Sequence, residues 1–204
     1  LNKIIEIYVG PTGLAFIGQF QNFSQLVMNF ASGAINQGVV KYTSEYKNKS
    51  EEKIKIWSSA VYISSICTFI VSILLIIFNK DLSIYFFKTD EYDAIFIVFA
   101  LTLFFFVLNS LFISILNGQG EIVKLTIINI SSSIVTLLLT GFLSYYYKMY
   151  GALLSLTLGQ SVVFIITFIF VIRCHWFKIH FFISKFSISH LKKLFEYALM
   201  ATTS

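Results

Sequence analysis

Charge is what this chain most lacks. Only 12% of its 204 residues are Asp, Glu, Lys or Arg, about half of the roughly 25% usual in a soluble domain. Hydrophobic residues make up 57% instead. A packed globular core cannot absorb that much Ile, Phe and Leu, so lipid is the expected solvent for the surplus and a soluble protein is a poor fit. Cysteine is scarce too. Cys67 and Cys174 build no disulfide or metal framework, and both are expected as free thiols. Proline occurs once, at Pro11, where it joins Gly10 and Gly13 in breaking a helix. The apolar runs contain no His–Cys nucleophile pair, no paired carboxylates and no phosphate-cradling glycine loop. Gly118-Gln119-Gly120 is a lone turn. The chain is therefore not expected to be an enzyme or to hydrolyse ATP. His175, His180 and His190 share one segment, but their spacing fits no zinc pattern. They read as interfacial side chains, and neither a metal nor a cofactor is expected.

Runs of span length are what the chain does have. Residues 57–78, 94–116, 125–147 and 149–172 each reach the roughly 20 residues needed to cross a bilayer. Before them, 1–10 read as the last turns of a helix and 15–45 as a further span. Residues 46–55 read as a polar loop, 79–93 as a mixed loop, 117–120 as a tight connection and Lys148 as a short turn. Residues 173–196 are basic and aromatic and read as an interfacial segment ending in a short amphipathic helix. Residues 197–204 read as the start of another span. The chain does not begin with Met, and both ends read as cut from something longer. The fold class expected is an all-α membrane protein, a multi-span helical bundle with its first lobe at 1–196.

The net charge of +5 sets topology rather than nucleic-acid binding, because the charges sit between apolar runs. Eleven of the 15 Lys and Arg fall within 41–55, at Lys124 and within 173–193; Lys3, Lys80, Lys88 and Lys148 are the others. The positive-inside bias places the first set in the cytoplasm and the acidic loop 81–93 outside.

Two spans carry polar stripes. Asn22, Gln25, Asn29, Ser32 and Asn36 recur at steps of three and four, within about 80° of one helix face. Leu26, Val27, Phe30 and Ile35 lie opposite. Thr126, Asn129, Ser133, Thr136 and Thr140 repeat the spacing, widened by Ser131 and Ser132. Asn109, Ser110, Ser114, Ser155, Thr157, Gln160 and Thr167 are further polar positions. For Ser and Thr the plainer reading is helix packing through small residues. Carboxamides inside a membrane must find partners, and four in one span favour a cavity. Lys3, in the helix before the break, is a cation that could meet a phosphate, or pair with Glu6, or snorkel. The cavity candidates are Lys3, Asn22, Gln25, Asn29, Asn36, Thr126, Asn129 and Ser133.

Certain blocks carry a family resemblance. They are Gly10-Pro11-Thr12-Gly13-Leu14-Ala15, Gln19-Phe20-Gln21-Asn22-Phe23, and the stretch from Ala31-Ser32-Gly33 through Asn36-Gln37-Gly38 to Lys41-Tyr42. Gly151-Ala152-Leu153-Leu154 and Leu199-Met200-Ala201 add to them. In this order they resemble the Wzx-type polysaccharide-lipid flippases, the O-antigen and lipid III flippase family of the MATE-like (MOP) superfamily. The resemblance implies the N-terminal six-helix lobe of a twelve-helix flippase in the bacterial inner membrane. It implies an undecaprenyl-pyrophosphate-linked oligosaccharide as substrate, moved outward by alternating access. Membrane lipids, a polysaccharide polymerase and a chain-length regulator are the implied partners, with no nucleic acid. One alternative is a cation-coupled small-molecule exporter of the same superfamily, which needs a titrating buried carboxylate. Another is a non-transporting scaffold, which needs the stripes packed dry.

Overall fold

A computed structural model of the chain describes residues 2–177 and 188–203. Residues 178–187, the middle of the basic and aromatic segment, lie outside the described residues. What is described is helical: α1 (Asn2–Ala31), α2 (Asn36–Glu45), α3 (Ser50–Ile77), α4 (Asn79–Phe87), α5 (Asp93–Gln119), α6 (Ile122–Ile172) and α7 (Ile188–Thr203). Three of these are long and apolar enough to cross a membrane: α3, α5 and α6. Central in the bundle is α5, which packs on α2, α3 and α6. In contrast, α3 turns Ile66, Phe69, Ile70, Ile73 and Ile77 outward, as a lipid-facing helix does.

Two of the helices are not straight rods. In α1 the backbone leaves helical geometry at Gly10 (φ 80°), and Pro11 opens the longer arm, a position where its missing N–H is harmless. In α6 the break is at Lys148 (φ 50°, ψ −125°), and there the chain reverses. Ser155 Oγ donates to Thr140 Oγ1 at 3.0 Å, whereas 15 residues of straight helix would hold them about 22 Å apart. So α6 is two antiparallel arms, 122–147 and 149–172. A glycine lets them meet: a Cβ on Gly151 would collide with the Leu143 carbonyl.

The run 15–45, expected as one helix, is interrupted. Gly33 N–H donates to Phe30 O at 3.0 Å and Ala34 N–H to Asn29 O at 2.9 Å, with Gly33 at φ 65°. This is a Schellman stop, the standard ending of a helix at a left-handed glycine. α2 restarts at Asn36. A second difference lies at 79–93, expected as loop, where residues 79–87 form α4. There Phe87 is buried and packs against Phe20, Tyr92 and Phe96.

The core comes in two parts. One holds Ile17, Phe20, Val27, Phe87, Phe96, Leu103, Val107 and Leu153. The other holds Ile35, Val39, Trp57, Leu111, Ile115, Ile128, Val171 and Leu194. Along α5 the first ends at Val107 and the second begins at Leu111, with Asn109 and Ser110 between. Along α1–α2 the gap falls at the Schellman stop. Along α3 it holds Ser64 and Thr68, both buried. These donate to Ser32 O at 3.4 Å and Ala31 O at 3.2 Å, partnering carbonyls that the broken helix frees at membrane depth. Asn36 Nδ2 donates to Ser110 Oγ at 2.9 Å in the same layer. A polar stratum thus crosses the middle of the bundle, between two apolar ends.

The second end is also where charge gathers. Glu52 Oε2 meets His190 Nε2 at 2.6 Å, Lys193 donates to Tyr46 and Lys41 lies 4.5 Å over the Tyr197 ring. Trp57 and Trp176 pack with centroids 5.2 Å apart, and Trp57 Nε1 donates to Thr43 Oγ1 at 2.9 Å.

Candidate functional site

The polar stratum opens into one cavity, and a second adjoins it alongside the first part of the core. The larger, about 560 Å³, is lined by Asn109 of α5, by Asn129, Ser132, Ser133 and Thr136 of the first α6 arm, and by Gln160 of the second; Ile113, Leu137 and Val163 complete it. The smaller, about 310 Å³, is lined by Gln21, Ser24 and Gln25 of α1 with Phe99, Phe106, Leu156 and again Gln160. Gln160 is the shared wall. It stands midway along the arm 149–172, so the cavities meet near half-depth.

Helix geometry explains the lining. In the arm 11–31, Ile17, Phe20, Val27 and Met28 are buried. Gln21, Asn22, Gln25 and Asn29 take the face this leaves exposed. On the first α6 arm Asn129, Ser132, Ser133 and Thr136 follow the three-and-four spacing that keeps them on one side, while Ile130, Ile134 and Leu138 face outward.

Hydroxyls and amides behave differently here. Thr126 Oγ1 donates to Ile122 O at 3.0 Å and Ser133 Oγ to Asn129 O at 2.9 Å. Thr102, Ser114 and Thr167 likewise donate to carbonyls four residues back. Such back-bonding satisfies a hydroxyl within its own helix. The carboxamides that line the cavities make no such bond. Among the described residues, the side chains of Gln21, Gln25, Asn129 and Gln160 make no hydrogen bond to protein. Asn109 is 4% exposed, and its Oδ1 has no partner; the same holds for Ser132 Oγ. An amide left unpaired in an apolar setting costs on the order of 2–7 kcal/mol. These groups therefore call for water or a hydroxyl-rich guest. Neither cavity is lined by an ionisable side chain, so the polar groups that would touch a guest are dipoles.

The expected residues fall as follows. Gln25, Asn129 and Ser133 line a cavity. Asn22 and Asn29 are exposed on α1, and Thr126 is exposed on α6; they line neither. Asn36 turns inward to Ser110. Lys3 lies in the first turns of α1, and its side chain is outside the described residues. Of the face expected to lie opposite, Val27 and Ile35 are buried, while Leu26 and Phe30 are exposed. Asn109 and Gln160 stand in the sequence among the further polar positions, beside Ser110 and Ser114 and beside Ser155 and Thr157, but outside the two stripes from which the cavity candidates are drawn.

A family model described as polysaccharide biosynthesis protein matches residues 3–204. No curated protein and no solved structure matches the chain.

Proposed function

The chain belongs to the polysaccharide biosynthesis protein family, and from that premise we propose that it flips an undecaprenyl-pyrophosphate-linked oligosaccharide across the bacterial inner membrane by alternating access. It is a membrane protein with α3, α5 and α6 as apolar, span-length helices. The observation that carries the reading is the pair of amide-lined cavities joined at Gln160 within that bundle. A glycan presents alternating donors and acceptors. Carboxamides offer both from one group, and aromatic faces such as Phe99 and Phe106 suit the apolar face of a sugar ring. The prenyl tail needs no protein cavity, since it can remain in the bilayer. The repeat unit would be an O-antigen or a related glycan, delivered to a polymerase and a chain-length regulator.

A cation-coupled exporter would need a carboxylate in its cavity, and neither lining holds one. A dry scaffold would leave the four unpaired amides unsolvated.

The test is complementation of cells that lack their own O-unit flippase, using the full-length protein. Wild type is expected to restore surface polysaccharide. The triple variant Q25L/N129L/Q160L is expected to cut export at least about tenfold, on the scale of 1.4 kcal/mol or more lost in binding, while lipid-linked intermediate accumulates. Normal export by an inserted triple variant would reject the cavities as the path.

A further inference from the structure

We propose that the larger cavity is a subsite for an uncharged sugar residue, with Asn109 as its specificity-determining group. The inference rests on the flippase reading and narrows its substrate.

Polar side chains reach the cavity from three helical segments: Asn109, Asn129, Ser132, Ser133, Thr136 and Gln160. None is ionisable, and no Lys or Arg joins the lining to neutralise an anion. Ser133 has already given its proton to Asn129 O and can only accept from a guest. Asn109 Oδ1 and Ser132 Oγ are buried without a partner. Asn109 is 4% exposed, so its amide belongs to the cavity wall rather than to the open surface. Rotation about χ2 presents either its oxygen or its NH2, a two-fold choice open to carboxamides. Sugar hydroxyls donate and accept, and so match both states. A uronic or sialic acid carboxylate does not: it would lose its hydration and gain no cation, a penalty that dipoles only partly offset. Ile113, Leu137 and Val163 add no polar group that would offset it. The nearest charged pair on the same arm, Lys124 with Glu121 at 3.1 Å, sits at the arm's start and is absent from the lining.

The experiment measures binding of four probes to the purified full-length protein in nanodiscs. They are undecaprenyl pyrophosphate, the same carrier bearing one glucose, the carrier bearing one glucuronic acid, and free glucose. Glucose on the carrier is expected to tighten binding over the bare carrier. Glucuronic acid is expected to give at least about tenfold less of that gain, as burial of an unpaired charge requires. In N109L the glucose-dependent gain is expected to vanish, and in N109Q to return in part. Equal gains from glucose and glucuronic acid would overturn the proposal, as would a glucose gain undiminished in N109L. Free glucose binding as tightly as the glucosylated carrier would overturn it by assigning the site to soluble sugar. Failure of every carrier probe to bind would instead bring down the flippase reading beneath it.

Discussion

At the scale of single residues, the core around Trp57 turns on one close approach. Gly118 of α5 lies against α2 so tightly that a Cβ there would stand 2.6 Å from Thr43 Cβ and 2.7 Å from Val40 O. Thr43 is the same residue that accepts from Trp57 Nε1. Gly118→Ala therefore pushes backbone as well as side chain and disturbs a buried hydrogen bond. The expected loss is about 1–3 kcal/mol, typical of overpacking, read as a lowered thermal midpoint of the purified protein. An unchanged midpoint would mean the two helices lie farther apart. The sequence hides this contact, because a glycine beside Asn117 and Gly120 reads equally well as part of a turn. The amide stripe on α1 was legible for the opposite reason: its spacing follows the helix repeat, whatever packs against it. Which of its members meet a partner was not legible. Asn36 left the stripe because the Gly33 stop re-aims everything after it.

Helical elements raise a different question, whether α6 is one rod or two. Sequence placed a turn at Lys148 from a lone cation between apolar runs, and the hairpin follows it. The Thr140–Ser155 hydrogen bond offers a direct check. In a background without Cys67 and Cys174, the pair Thr140→Cys/Ser155→Cys is expected to form a disulfide under mild oxidation, since the bridge needs Cα atoms about 4.4–6.8 Å apart. A continuous helix would leave both thiols free to alkylation. At 32–35 the helix expected to run on to residue 45 stops instead. Ser32, Gly33 and Ala34 are small and uncharged, so a hydropathy reading passes through them. What stops the helix is the left-handed backbone at Gly33, together with the Ser64 and Thr68 hydroxyls of α3, which donate to the freed carbonyls. That help comes from a neighbour some 30 residues on, out of reach of any local pattern.

For the whole molecule, the charge distribution predicts orientation. Lys41, Lys53, Lys124 and Lys193 gather with the Trp57–Trp176 pair, while Lys88 and Lys148 mark the opposite end, where Tyr92 stacks on Tyr150 at 6.3 Å. Under the positive-inside bias, a Lys88→Cys variant in the cysteine-free background is expected to react with an impermeant maleimide in intact cells. Lys47→Cys is expected to react only after permeabilisation. Reversal of that pattern would invert the orientation. Fold class and membrane residence were legible in composition, which needs no contacts to be read. The convergence of α1, α5 and both α6 arms on Gln160 was not, because it depends on how the helices pack.

The stratified interior has a mechanical corollary. At either pole, rings such as Phe20, Phe87 and Phe96, or Trp57 and Trp176, interlock, and sliding them apart would open voids at about 24 cal/mol per Å³. At the equator, donors and acceptors can be swapped for one another, or for water, at nearly constant energy. Any tilt of one pole against the other is therefore cheapest about the belt through Gly33, Asn109 and Gln160, so the bundle's most wettable level is also its most compliant.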